Sequence, residues 1–320
     1  MLPAIAAPWT ASLTPAAYHL TLYFLVVAGF AMMVGLFRAF ATKDEVSSRF
    51  RTATIARIGI MAATSLAYLM IVVHFGTGYD LRGGLYVPNS DAILVMSVRY
   101  MEWTIAVPLL TVELLAVCGL VGENARRMRL TAMAGAFAMI FTGFLGGVVI
   151  GGGEDVAQLV FWGLVSTVFW VFTTVVLISA VRKTLPTLTI ESSVLLRNAT
   201  ILLLGGWVVY PLVYLIQVFA VGGEWTATMQ ITMSVADIVI KLGFGTLIHR
   251  VAKLRTAEDV RAGIDVHWES IWISSIKQSD AGRPREVHLA DGASVHRRRS
   301  QPPMSSAVAS AATEPDDNDY

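Results

Sequence analysis

Cysteine is nearly absent. Cys118 is the one thiol in 320 residues, so no intrachain disulfide braces this chain. Charge is scarce as well, at 15% of residues, and 24 Lys and Arg against 23 Asp and Glu leave a net +1, a balance with nothing in it to suggest nucleic-acid binding. The opening stretch through Thr14 carries no charge, which excludes the basic n-region of a cleaved signal sequence and makes residues 1–17 an external tail. The glycines at Gly146, Gly147 and Gly151 to Gly153 lack the Gly-Lys-Ser/Thr ending of a phosphate loop and read as a span end. No hydrolase or transferase arrangement and no metal-ligand spacing is visible, so neither an enzyme nor a metalloprotein is expected.

What the chain has instead is apolar sequence. It is 55% hydrophobic with a mean hydropathy of +0.62, beyond what a soluble core uses, and the apolar stretches fall at 18–41, 53–75, 92–120, 130–151, 156–181, 195–220 and 226–250. The expected fold is an all-α membrane protein, a seven-transmembrane helix bundle over residues 18–255 with a cytoplasmic C-terminal extension. Basic residues gather in alternate loops: Arg38, Lys43, Arg49 and Arg51, then Arg126, Arg127 and Arg129, then Arg182 and Lys183, and finally Arg250, Lys253 and Arg255. The positive-inside rule makes those loops cytoplasmic, with the N-terminus outside and the C-terminus inside, in a multi-pass protein of the cell membrane. The opposite loops carry Asp80, Asp91, Glu154, Asp155 and Glu224 against Arg82 alone. Beyond the last span, Trp268, Ile271, Trp272 and Ile273 among charges suggest a structured extension over 256–282, either a membrane-surface helix or a strand pair. Residues 283–320, rich in Ser, Ala, Pro and charge, read as disordered.

Five positions in the third and last apolar runs bear charge where charge is costly. In the last span Asp237 and Lys241 stand four apart, on one helix face. A lysine in an apolar pocket can lose its proton and condense with an aldehyde to form a Schiff base; the alternative is a structural ion pair between helices. In the third span Arg99 lies one turn from Glu102, and Glu113 lies about 16 Å further along the same helix, so two carboxylates line one wall at two depths, as a proton path requires. The sixth span supplies Trp207, Tyr210, Pro211 and Tyr214, an aromatic face with a proline that kinks it; such a stripe serves lipid or core packing as readily as a cofactor.

Arg-Tyr-Met-Glu-Trp from Arg99 with Pro108, Trp-Val-Val-Tyr-Pro from Trp207, and Asp237 with Lys241 occur in order on the third, sixth and seventh spans. Together they resemble the microbial rhodopsins, seven-helix proteins that carry retinal on a lysine of the last helix. The resemblance implies all-trans retinal as a Schiff base on Lys241, with Glu102 as proton acceptor and counterion, Asp237 as second counterion, Arg99 in the external half of the path and Glu113 at the cytoplasmic donor position. It places Trp103, Trp207, Tyr210, Pro211 and Tyr214 against the polyene. Leu110 resembles a leucine associated with green rather than blue tuning. His74 resembles the histidine that hydrogen-bonds the primary acceptor in proteobacterial pumps, or is a span-end residue. Gly163, in Phe161-Trp162-Gly163-Leu164, resembles the window through which some relatives touch a carotenoid antenna, or serves helix packing.

Two departures stand out from the outward pumps of this family, which mostly have aspartate at the acceptor and threonine four residues on; here these are Glu102 and Ala106. Arg57 lies a turn or two inside the cytoplasmic end of the second span, where it either snorkels to phospholipid or points into the bundle towards Glu113. Pointing inward, it favours the carboxylate form of Glu113, whereas a donor must hold its proton; reprotonation and the photocycle then slow. Buried arginine, glutamate acceptor and cytoplasmic extension resemble the cryorhodopsins, a small group proposed to act as light sensors. Three functions stay open: a slow retinal photoreceptor, a light-driven outward proton pump, and a seven-helix transporter without retinal. Expected partners are the lipid bilayer, further copies in a trimer or pentamer, and a cytoplasmic or membrane transducer.

Overall fold

The computed structural model describes residues 7–120, 122–219 and 222–261. The strand pair or surface helix expected around Trp268 and the disordered tail over 283–320 lie outside the described residues.

Among the described residues, seven helical segments are long and apolar enough to cross a membrane: Pro15–Ala41, Ser48–Thr77, Ala92–Ala116, Gly122–Gly153, Val156–Thr187, Ile190–Phe219 and Gly223–Arg261. Their regular helices are α1 (Pro15–Ala41), α2 (Arg51–Thr77), α3 (Ala92–Ala116), α4 (Gly122–Phe144), α5 (Val156–Thr184), α6 (Ile190–Trp207), α7 (Val209–Phe219), α8 (Gly223–Asp237) and α9 (Phe244–Arg261). Local chemistry sets several starts. Thr14 accepts from Ala17 N ahead of Pro15, Asp155 accepts from Ala157 N and Gln158 N, and Thr189 accepts from Ser192 N. Two helices outrun their apolar windows: α4 starts eight residues before the expected span and carries Arg126, Arg127 and Arg129, and α9 carries Arg250, Lys253 and Arg255. Charged residues are good helix formers once outside hydrocarbon, so hydropathy marks the membrane rather than the helix end.

α3 is the central element. About two thirds of its most apolar window is buried, against 22% for the first and fifth spans, whose outer faces are apolar and exposed as lipid contact requires. Three irregularities shape the bundle. The sixth span breaks at Val208 between α6 and α7, because Pro211 has no N–H to offer the Trp207 carbonyl one turn back. The fourth span passes into a π segment at Leu145–Val149, and the last span does so at Ile238–Gly243, between α8 and α9. Such bulges are rare and concentrate at functional sites; the second one holds Lys241.

Between α2 and α3 a hairpin pairs β1 (Tyr79–Arg82) with β2 (Leu85–Pro88), an element absent from the sequence reading. Its turn is Gly83-Gly84, both at positive φ, the two-residue geometry that suits a twisted strand pair. The segment preceding α1 adds to it: Leu13 bridges Tyr86, the Thr226 hydroxyl donates to Pro8 O at 2.6 Å, and the Tyr18 and Tyr86 rings stack at 3.7 Å. The stretch expected as an external tail is therefore fastened from Ala7 onward.

The described residues divide into two compact units, one within 7–43 and 51–251, the other of 44–50 and 252–261. Within the described part of the second, Arg49 donates to both oxygens of Asp259 at 3.0 Å, Lys253 pairs with Glu45 at 2.8 Å, and Ser47 N donates to the Thr256 hydroxyl. Phe50 receives the guanidinium groups of Arg49 and Arg255 at 5.4 and 5.1 Å from its ring centre.

Candidate functional site

Lys241 is 2% exposed, and its Nζ lies 2.9 Å from both oxygens of Glu102 on α3 and 3.0 Å from Asp237 Oδ1, one helical turn back on its own span. A lone buried ammonium is untenable, and two carboxylates answer it. The second negative charge is answered by Arg99, 1% exposed, whose guanidinium lies 3.7 Å from Asp237 Oδ2. Two cations and two anions thus close on one another inside the bundle with no net charge.

Neutral donors fix each member. The Thr64 hydroxyl donates to Glu102 Oε1 at 2.6 Å, while Tyr68 and Tyr210 donate to the two oxygens of Asp237 at 2.9 and 2.7 Å. Arg99 donates to Gln230 Oε1 at 2.9 Å and to the Ser234 hydroxyl at 3.1 Å. Gln230 and Ser234 share a face of the last span with Asp237 and Lys241, so helical spacing from those two charges was a signal for them, whereas Thr64 and Tyr68 lie on one face of a different helix, α2.

Lys241 also stands at one end of an apolar cavity of about 420 Å³, within the usual range of small-molecule sites, and is the one charged residue of its described lining. Trp103, Leu110, Trp207, Tyr210, Pro211 and Tyr214 all line it, and Tyr100, which the sequence reading did not name for it, lines it as well. Trp103 meets Tyr210 edge to face at 5.0 Å, and the Tyr214 hydroxyl is held by Leu159 O at 2.8 Å. Gly163 lines the cavity against the Tyr214 ring, where a Cβ would come within 2.9 Å of it. Its smallness is thus used by ring packing.

Arg57 is 8% exposed and does not snorkel to phospholipid. It donates to Gly245 O at 3.4 Å and to the Thr42 hydroxyl at 3.2 Å. Glu113, 1% exposed, reaches the same glycine: a Cβ on Gly245 would lie 3.2 Å from Arg57 Cδ and 3.5 Å from Glu113 Oε1. The arginine and the second carboxylate therefore converge, as the inward alternative required. His74 is a correction. It sits in the last turn of α2, about 15 Å along the helix from Thr64, and Thr64 occupies the place on Glu102 expected for the histidine. Ten residues is nearly three turns, too far for an imidazole to span. Among the described residues no cluster of three or more His, Cys, Asp or Glu is placed to hold a metal ion.

A sequence model of the bacteriorhodopsin-like proteins matches residues 19–254, close to three quarters of the chain. The chain belongs to the bacteriorhodopsin-like family. Relatives of this bacteriorhodopsin-like protein include a bacteriorhodopsin-II-like protein of Haloquadratum walsbyi, 26% identical over 59% of this chain and 72% of the relative. Blue-light absorbing proteorhodopsin of a gamma-proteobacterium is 24% identical over 72% of this chain and 84% of its own length. Among solved structures, xanthorhodopsin, a light-driven ion pump with dual chromophore, superposes with a TM-score of 0.69 at 26% identity, covering 78% of this chain and 98% of that one. The family implies a retinal chromophore. The residues present fit one: an apolar cavity of about 420 Å³ is lined by a lysine whose carboxylates are already in place.

Proposed function

We propose that this protein is a retinal photoreceptor with a slow photocycle, a light sensor whose proton translocation is weak. Retinal held covalently through Lys241 Nζ supplies visible absorption and light-driven isomerisation. Glu102 receives the proton that leaves this nitrogen, since both of its oxygens lie at 2.9 Å. Asp237, held by Tyr68, Tyr210 and Arg99, remains as fixed counter-charge. The N-terminus lies outside and the C-terminus in the cytoplasm, as the loop charges demand. Assembly as a trimer or pentamer, with a transducer to read the long-lived state, completes the reading.

One observation carries the sensor assignment: the buried guanidinium of Arg57 shares Gly245 with Glu113. A buried cation beside that carboxyl group repels an incoming proton, which slows the return. Flash photolysis of the reconstituted protein is the test. A deprotonated state lasting seconds, shortened in Arg57→Gln, supports the sensor; millisecond recovery that Arg57→Gln leaves unchanged overturns it. The second reading, an outward proton pump, is favoured by the two buried carboxylates at different depths of α3. It requires protonophore-sensitive acidification of the medium under light.

A further inference from the structure

Lys241 lines two cavities. The second, of about 120 Å³, shares only Lys241 with the described lining of the aromatic one and is bounded by Gly35, Arg38 and Ala39 of α1, Arg57 and Met61 of α2, and Gly245 and Thr246 of α9. Arg38, exposed in the last turn of α1, stands at its outer end and donates to the Thr246 hydroxyl at 3.3 Å. Its described lining contains three cations and no carboxylate. Glu113 lines neither cavity, although it reaches Gly245 from the α3 side. The volume admits several waters, and hydroxyl, carbonyl and guanidinium groups give them partners.

We propose that this cavity is a proton-uptake route from the cytoplasm to Lys241 Nζ that runs between α1, α2 and the last span and bypasses Glu113. The proposal deepens the retinal reading of Lys241 and rests on it. A hydronium ion entering past Arg38 gives its proton along the enclosed waters to the nitrogen and is left as water. Thr64, Tyr68, Glu102, Asp237 and Tyr210 surround the far side of that nitrogen, and Glu102 holds the proton given up earlier. Arg38 and Arg57 repel the incoming cation, so the route is open to water yet slow for protons. A slow return then has two causes in one residue: Arg57 stands beside Glu113 and obstructs the way round it.

A double substitution separates those causes. If the cavity is the route, Arg57→Gln speeds recovery about tenfold or more even when Glu113→Gln removes the carboxylic donor, and Arg38→Gln, remote from Glu113, speeds it as well. If the gain vanishes in the Arg57→Gln Glu113→Gln protein, the proton travels through Glu113 and the proposal falls. A second measurement needs no retinal. In Cys118→Ala apoprotein, Met61→Cys, at a side chain only 2% exposed, should react with thiol reagents from the cytoplasmic face, faster with an anionic than a cationic one. An unreactive thiol there closes the route. Absence of a visible band in the wild-type protein with retinal would remove the retinal reading and leave the labelling result standing as evidence of the water path alone.

Discussion

Lys241, Glu102, Asp237 and Arg99 are mutually dependent, because each is buried and each neutralises another. Removing one partner strands a charge, at a cost on the order of 3–5 kcal/mol. Asp237→Ala is accordingly expected to lower the stability of the retinal-free protein by that order, measured by thermal or denaturant unfolding in detergent. Lys241→Ala is expected to abolish the visible band on reconstitution, read by absorption spectroscopy, since among the described residues no other amine lines the aromatic cavity. Thr64→Val deletes the 2.6 Å donor to Glu102 at nearly constant volume; a loss of about 1–3 kcal/mol is expected, restored by Thr64→Ser. The charged residues of this set were legible in the sequence because charge is conspicuous in an apolar run. Thr64, Tyr68, Gln230 and Ser234 were not, since hydroxyls and amides are ordinary in membrane helices and gain meaning only beside a charge.

At the scale of elements, the last span depends on its π segment and on what packs beside it. Gly206 of α6 faces Ile240, immediately before Lys241, so closely that a Cβ would fall 2.5 Å from the Ile240 Cγ1. Gly206→Val should therefore displace the segment that carries the lysine. A destabilisation of about 1–3 kcal/mol and a shifted visible band are expected, checked by unfolding and absorption. The proline break of the sixth span was readable, because a missing N–H is a local fact. The π segment was not: Ile-Val-Ile-Lys-Leu-Gly has the apolar composition of any span, and the widened turn depends on how α6 and α1 press on it. The hairpin between α2 and α3 left a signal in Gly83-Gly84, a two-residue turn between short β-prone runs.

For the whole molecule, the balance between sensing and pumping turns on whether protons leave on one side and return on the other within a useful time. The half of the bundle that holds Arg99 contributes to this. Arg99 is held inward against Asp237 by Gln230 and Ser234, and the segment from Ala7 to Leu13 is fastened over the hairpin and the start of α8. Light-driven acidification by cells or vesicles carrying the wild-type protein is therefore expected to be small against that of an efficient outward pump under the same illumination, measured with a pH electrode with and without protonophore. Sustained, protonophore-sensitive acidification at pump-like rates would make the protein a transporter.

By itself the sequence determined the seven spans, the expected sidedness of the loops, the kink at Pro211 and the depth of Lys241, Asp237, Glu102, Glu113 and Arg57. Each follows from hydropathy, charge and helical rise, which are properties of one segment at a time. Only the tertiary structure decided that Arg57 turns inward to Gly245, that Thr64 rather than His74 serves Glu102, and that Lys241 opens onto two cavities of different character. Those outcomes depend on which faces of different helices meet. In lipid that choice is made by close packing and interhelical hydrogen bonds rather than by hydrophobicity, and neither is written in the pattern of a single helix.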